Sequence, residues 1–237
     1  CLYLEDNDMS NVILIAGTIV EMQVTTGMTT SWQEVPRLTE IGAVGEQSEP
    51  KEKTTLSDRI KKYDSGMRDA PDKNLKGQYV PLQQSGDQYF NEYTLQQAFI
   101  KRCRDEEEFN IRVKWPDGEV NGFLFKSLGF EWDAGNQEEW KMFTVNGKQN
   151  SRVVYDLTVT GTATVATAAT TQLSVTTTPA GVVTNDGSDS GSVVWTSSNP
   201  LKATVDQNGR VTGVAAGVAI ITAEFRGVVG ELKVTVS

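Results

Sequence analysis

No histidine occurs anywhere in the 237 residues. That absence excludes every mechanism built on an imidazole: the Ser-His-Asp triad, histidine general bases and histidine-ligated zinc. Cysteine is nearly missing as well. Cys1 and Cys103 are too few for a disulfide framework, and Cys103 lies in a helical-looking segment where a free thiol packs as a small apolar group. Because the sequence starts at Cys1 instead of Met, a segment is expected to precede it, and a lipidated cysteine after signal cleavage would look like this. A membrane span needs roughly 18–20 consecutive apolar residues. The best stretch, NVILIAGTIVEM, is interrupted by Gly17 and Thr18 and closed by Glu21. No membrane partner is expected. Basic residues are outnumbered, 22 Lys and Arg against 31 Asp and Glu, for a formal charge of −9. Such a balance argues against wrapping nucleic acid through neutralised phosphates.

Chemical motifs are missing in the same way. There is no Walker-type phosphate loop and no Gly-rich dinucleotide turn after a strand, so no nucleotide cofactor, and no cofactor of any kind, is expected. The fragments DNDMSN and DGSDSG resemble parts of calcium loops, but the first lacks Gly at its sixth position. In the second, the twelfth position counted from Asp186 is Ser197 instead of Glu. Both read as turns. Acid–base work would fall to carboxylates, yet Glu106, Glu107 and Glu108 are consecutive, so their side chains diverge and read as a solvated run. Trp195 could be a sugar-stacking platform, but its place beside Val193 and Val194 in a strand marks it as a core anchor. No catalytic, cofactor-binding or metal-binding residue is assigned.

What is present divides near residue 150. Residues 1–150 hold 17 Lys and Arg against 25 Asp and Glu, and residues 151–237 hold 5 against 6, so the acidity belongs to the first part. The expected domains are accordingly 1–150 and 151–237. In the first, ILIAGTIVEMQV and TSWQEVPRL read as strands, and FNIRVKWPDGEVNGFLFKSLGFEW as a hairpin. Phe109, Ile111, Val113 and Trp115 alternate with Asn110, Arg112 and Lys114, and Pro116, Asp117 and Gly118 supply the turn. EEWKMFTVNG is a partner strand. FNEYTLQQAFIKRC predicts one amphipathic helix whose inward side carries Tyr93, Leu95, Phe99, Ile100 and Cys103. The charged, Gly- and Pro-containing stretch from Thr39 to Gln84 is expected to be one long loop, disordered or functional, and Tyr63, Met67, Leu75 and Tyr79 spaced through it suit a flap that docks better than a free linker. The second part offers about seven short β-branched runs, the pattern of an antiparallel sandwich.

The run VVWTSSNPLKATVDQNGRVTGVAAGVAIITAEF resembles bacterial immunoglobulin-like domains of group 2, on Trp195, Ser197, Ser198, Asn199, Ala203, Val205, Gly209, Val211, Thr212, Gly217, Ile221 and Thr222. Trp195, Ser198, Asn199, Gly209 and Gly217 are its structural signature. The first part resembles the major tail (tail tube) protein of long, non-contractile, lambda-like phage tails. The likeness rests on the order of features: an early strand, TTLSD and YDSGMRDAPD in a long loop, one helix before FNIRVKWPDGEVNGFLFKSLGF, then EEWKMFTVNGK and a terminal immunoglobulin-like domain.

This resemblance implies a mainly β fold, with a barrel-forming β-sandwich domain carrying one packed helix and a long loop, followed by an Ig-like sandwich. It implies stacked hexameric rings that conduct DNA without specific binding and a place in the virion tail after assembly in the host cytoplasm. The partners it implies are tape measure, tail tip and terminator proteins, with weak cell-surface glycan contact by the outer domain. Thr54, Leu56, Asp58, Tyr63, Asp64, Gly66 and Met67 would form the inter-ring or inter-subunit loop, and Glu119, Glu131, Asp133 and Glu138 are the acidic lumen candidates. Two other readings stand beside it, a bacterial surface or secreted adhesin carrying the same module and a carboxylate-based glycan hydrolase.

Overall fold

A computed structural model describes residues 12–13, 16–26, 29–53, 60–61, 63–70, 72–81, 89–133, 141–180, 182 and 193–237. Two compact units divide the chain: the described residues up to Phe109 together with Leu124–Val153, and Asn110–Phe123 together with Val154–Ser237. The elements in chain order are β1 (Val12–Ile13), β2 (Ile19–Thr26), β3 (Thr29–Glu34), β4 (Leu38–Ile41), β5 (Gln47–Glu52), β6 (Tyr63–Asp69), β7 (Asp72–Gln78), α1 (Phe90–Arg104), β8 (Glu108–Lys114), β9 (Val120–Asp133), β10 (Met142–Gln149), β11 (Asp156–Gly161), β12 (Thr164–Val165), β13 (Thr170–Thr178), β14 (Val194–Ser197), β15 (Ala203–Val205), β16 (Arg210–Gly213), β17 (Gly217–Phe225) and β18 (Val228–Val236). The fold is mainly β with a single helix among the described residues, as expected.

An eight-stranded sheet runs in the order β1-β4-β7-β10-β9-β8-β2-β3. Its apolar face follows from strand alternation. Phe109, Ile111 and Val113 are buried on β8, Phe143 and Val145 on β10, and Leu75 on β7. Helix α1 carries a stripe of Gln96, Phe99, Ile100 and Cys103 at the i, i+3, i+4, i+7 spacing of one helical face. Phe99 meets Phe109 at 6.1 Å and Phe143 at 6.4 Å between ring centroids. Fully burying such a ring contributes on the order of 2–3 kcal/mol. Tyr93 and Leu95 are only half-buried, and Gln96 takes the inward position instead. A polar residue can do so because its amide is fully hydrogen-bonded, a feature that hydrophobic spacing cannot reveal.

A β-bulge keeps the aromatic residues of β9 on one side. Asn146 pairs with Gly129 while the next residue, Gly147, pairs with Ser127, so Leu128 is the extra residue and turns outward. Phe125 and Phe130, an odd number of residues apart, thereby reach the same face. Glycines make room for the rings: a Cβ on Gly77 would lie 2.5 Å from the Phe143 ring, and one on Gly147 would overlap the ring of Phe125.

The stretch from Thr39 to Gln84 is a loop only in part, not the one long connection expected. It contains the end of β4, the hairpin β5–β6 and the sheet strand β7. Strand β7 escapes recognition because its inward positions are Lys73, Leu75 and Gly77, which show no apolar alternation. Among the described residues, strands β5 and β6 pair only with each other, with a register shift at Ser48/Pro50, where proline removes a ladder donor.

The second unit contains the sandwich: β11-β13-β16-β15 and β12-β18-β17-β14. Eight strands are described where about seven were expected. DLTVTGTATVAT divides into β11 and β12 at Gly161, whose φ is +144°. Leu157, Leu173, Trp195, Val211, Ile221, Phe225 and Val234 are among the core residues.

Candidate functional site

Opposite the helix, the eight-stranded sheet presents a polar face, and the register fixes its membership. Met142, Thr144, Asn146 and Lys148 of β10 lie across from Gln78, Lys76, Asn74 and Asp72 of β7. On the other side the same β10 residues lie across from Asp133, Glu131, Gly129 and Lys126 of β9. Residues directly opposite one another project to the same face, and Glu40 of β4 joins the set opposite Lys76.

Charges of both signs alternate over this surface. Lys76 Nζ lies 3.0 Å from Glu40 Oε2, Lys148 Nζ lies 3.2 Å from Asp72 Oδ1, and the Thr144 hydroxyl donates to Asp133 Oδ2 at 3.3 Å. Over β4, β7, β10 and β9, four carboxylates (Glu40, Asp72, Glu131, Asp133) thus share the face with three lysines (Lys76, Lys126, Lys148). The result is a mixed, near-neutral surface instead of a strongly acidic one.

Of the acidic positions singled out from sequence, Glu131 and Asp133 come together on this face. Glu119 does not join them. It lies in the turn between β8 and β9, where it accepts from Asn121 Nδ2 at 2.7 Å and its own backbone N–H donates to Asp117 Oδ1. Glu138 lies outside the described residues. Thr54, Leu56 and Asp58 also lie outside them, whereas Tyr63, Asp64, Gly66 and Met67 belong to β6. Sequence reasoning missed Glu40, Asp72, Lys76, Lys126 and Lys148. The signal that could have found the β7 members is the DKNLKGQ alternation of long polar residues with Leu75, a faint one.

Two ionisable groups are buried on the helix side. Lys73 is fully enclosed, and burial pulls its ammonium down to about 7. The Cys103 thiol is pushed up by burial, only partly offset by Ser127 and Arg102, which makes it an inert packing group. Among the described residues no group of three or more His, Cys, Asp or Glu is placed to hold a metal ion. No helix among them is long and apolar enough to cross a membrane.

In the sandwich, the signature residues perform structural work. Trp195 is buried. Ser198 exchanges two hydrogen bonds with Ile220, one from its backbone N–H and one accepted by its hydroxyl. The Asn199 carbonyl receives the N–H groups of Lys202 and Ala203. Gly209 has φ +77°, and a Cβ there would lie 2.7 Å from Trp195 Cζ2 and 2.8 Å from the Leu173 carbonyl oxygen. Gly209→Ala should therefore destabilise the sandwich by about 1–3 kcal/mol through backbone strain and overpacking together. Denaturant unfolding followed by Trp fluorescence measures it, and an unchanged midpoint would show that the turn relaxes freely.

No curated protein matches the chain. A solved structure described as the tail of an empty GTA particle, with C6 symmetry, is similar at 13% identity, over 57% of this chain and 94% of that one, with a TM-score of 0.40. Residues 153–236 match the family described as bacterial Ig-like domain (group 2).

Proposed function

We propose that this chain is the repeating structural subunit of a viral tail tube: six copies close into a ring, rings stack, and DNA passes along the inner surface during ejection. The observation that carries this reading is the asymmetry of the eight-stranded sheet. One face is covered by a single helix, the other is polar and charge-paired, and the terminal strands β1 and β3 each have one partner among the described residues. Open edges invite pairing with another chain, and closing several copies into a barrel removes them. Lys76 and Lys148, held by carboxylates, and Lys126, whose ammonium donates to the Glu106 carbonyl, are poorly placed to capture phosphates, so a polyanion slides past such a lining instead of sticking to it. The Ig-like domain is displayed outside, where it makes weak contact with surface glycans. The role is structural, without catalysis, in the virion tail, and its partners are further copies and the other tail proteins.

Electron microscopy of the purified protein across a concentration series tests the assembly. Stacked six-fold rings with a central channel are expected, and persistent monomers would favour the surface-adhesin reading. The β5–β6 hairpin supplies a second arm. Among the described residues these strands pair only with each other, so deleting Thr54–Met67 removes none of the described pairings of the eight-stranded sheet. An isolated two-stranded hairpin is marginal in water without something to pack on, which suits an element that docks on a neighbouring ring. The deletion should permit rings but prevent long tubes, and tubes of normal length would remove the hairpin from the stacking contact.

A further inference from the structure

Where β7 and β9 end and β10 begins, the apolar side of the sheet finishes in a group of aromatic rings flanked by two cations. Trp132 meets Tyr79 edge-on at 5.3 Å and Phe130 at 5.0 Å. Lys141 Nζ lies 3.8 Å from the Trp132 ring centroid and 5.0 Å from that of Tyr79. Arg104, from the last turn of α1, sits 4.8 Å over Phe130 and 5.4 Å from Trp132. One indole is thus approached by two cations carried on different elements.

Both cations are exposed, and the three rings are half-buried. Among the described residues neither Arg104 nor Lys141 lies within ion-pair distance of a carboxylate. In a chain with 31 acidic residues this is unexpected, and strand alternation explains it. Asp133 and Glu131 flank Trp132 in sequence but project to the opposite face, where Asp133 accepts from Thr144. Among the described residues, the cluster therefore presents uncompensated positive charge on an aromatic bed. Trp, Tyr and Arg in such combinations are the residue types that dominate binding at protein interfaces, and a cation held over a ring is already partly desolvated for a partner anion.

We propose that this cluster, Tyr79, Arg104, Phe130, Trp132 and Lys141, is a docking surface for the carboxylate-bearing surface of a second copy of this chain. Charge complementarity selects that occupant: the chain is net −9, so every other copy offers excess carboxylate. The proposal rests on the self-assembly reading and names a contact within it.

The test is the double charge reversal Arg104→Glu with Lys141→Glu, beside the charge-conserving pair Arg104→Lys with Lys141→Arg. Circular dichroism and thermal unfolding establish that each is folded. Sedimentation and electron microscopy at about 50 mM and about 500 mM salt read assembly. The reversal should raise the concentration needed for stacking by about tenfold or more, or leave unstacked rings, while the charge-conserving pair assembles like the wild type. Normal assembly of the reversed protein would overturn this contact and leave the tube reading standing. Normal assembly together with lost retention of duplex DNA on a filter would overturn it in favour of a phosphate partner. A wild-type protein that never self-associates would overturn both.

Discussion

Replacing Gln96 by Leu is expected to lower the unfolding free energy by about 3–5 kcal/mol, although Leu keeps nearly the same volume and is the better match for a buried helical face. Gln96 is completely enclosed and uses both ends of its amide. Its Oε1 accepts from the Val80 backbone N–H at 2.7 Å, and its Nε2 donates to the carbonyls of Gln78 at 2.7 Å and Pro36 at 3.3 Å. One side chain of α1 thereby fastens the exit of β7 and the turn between β3 and β4. Leucine would leave one buried donor without a partner and strip two carbonyls of one, and each such loss carries a cost of about 1–3 kcal/mol. The neighbouring Arg37–Glu92 pair at 2.8 Å spans the same junction but is partly exposed, so it cannot replace the lost bonds. Urea denaturation of the two proteins decides the matter. A change below about 1 kcal/mol would mean that water or a shifted backbone satisfies the three groups.

Lys73→Met is expected to act in the opposite direction, and its effect should depend on pH. Burial holds the native Lys73 near 7, whereas the unfolded chain titrates at the ordinary 10.5. Between those values the unfolded state binds more protons, so wild-type stability rises with pH across the window from about 7 to 10.5. Below it both states are protonated and the cost of the enclosed charge is fully present. Above it both are neutral and the cost is gone. Methionine, of similar length and without charge, should therefore stabilise by about 1–4 kcal/mol at pH 7, net of the contacts the lysine makes. The gain should shrink toward zero near pH 10.5. Denaturant midpoints measured from pH 6 to pH 10.5 trace the difference. A gain that does not vary with pH would show that the lysine keeps its ordinary protonation in the folded protein, and a loss at every pH would make it a structural anchor.

Both residues lie where local pattern is silent, and this governs how much of the molecule could be read in advance. The β8–β9 hairpin, the single helix and the sandwich strands are legible because their signals are local: Phe109, Ile111 and Val113 alternate, and Gly118 follows Pro116 and Asp117 in the turn with φ +93°. The Ig-like signature is legible for the same reason. Trp195 and Gly209 are separated in sequence but belong to a compact module whose turns require glycine at fixed places. The inward side of β7, by contrast, carries Lys73, Leu75 and Gly77, and no rule of hydrophobic alternation identifies a strand from those three. Glycine is there because the Phe143 ring occupies the space of its side chain, and that ring belongs to a strand reached only by folding.

The candidate site divides along the same line. Composition alone establishes an acidic first part, and with it a supply of carboxylates but no imidazole. Which carboxylates share a surface depends on register between strands far apart in the chain. Glu40 meets Lys76 and Asp72 meets Lys148 only after β4, β7 and β10 are laid side by side. A single bulge at Leu128 decides which residues of β9 face the helix and which face the lysines. The sequence by itself determined the β-rich class, the Ig-like module, the helix and the absence of histidine chemistry, because periodicity, turn residues and composition are properties of neighbours. Tertiary structure alone decided the charge-paired face, the Gln96 clasp, the buried Lys73 and the cation-flanked Trp132. In each of these the surroundings that set the energy are residues that only the folded sheet brings within reach.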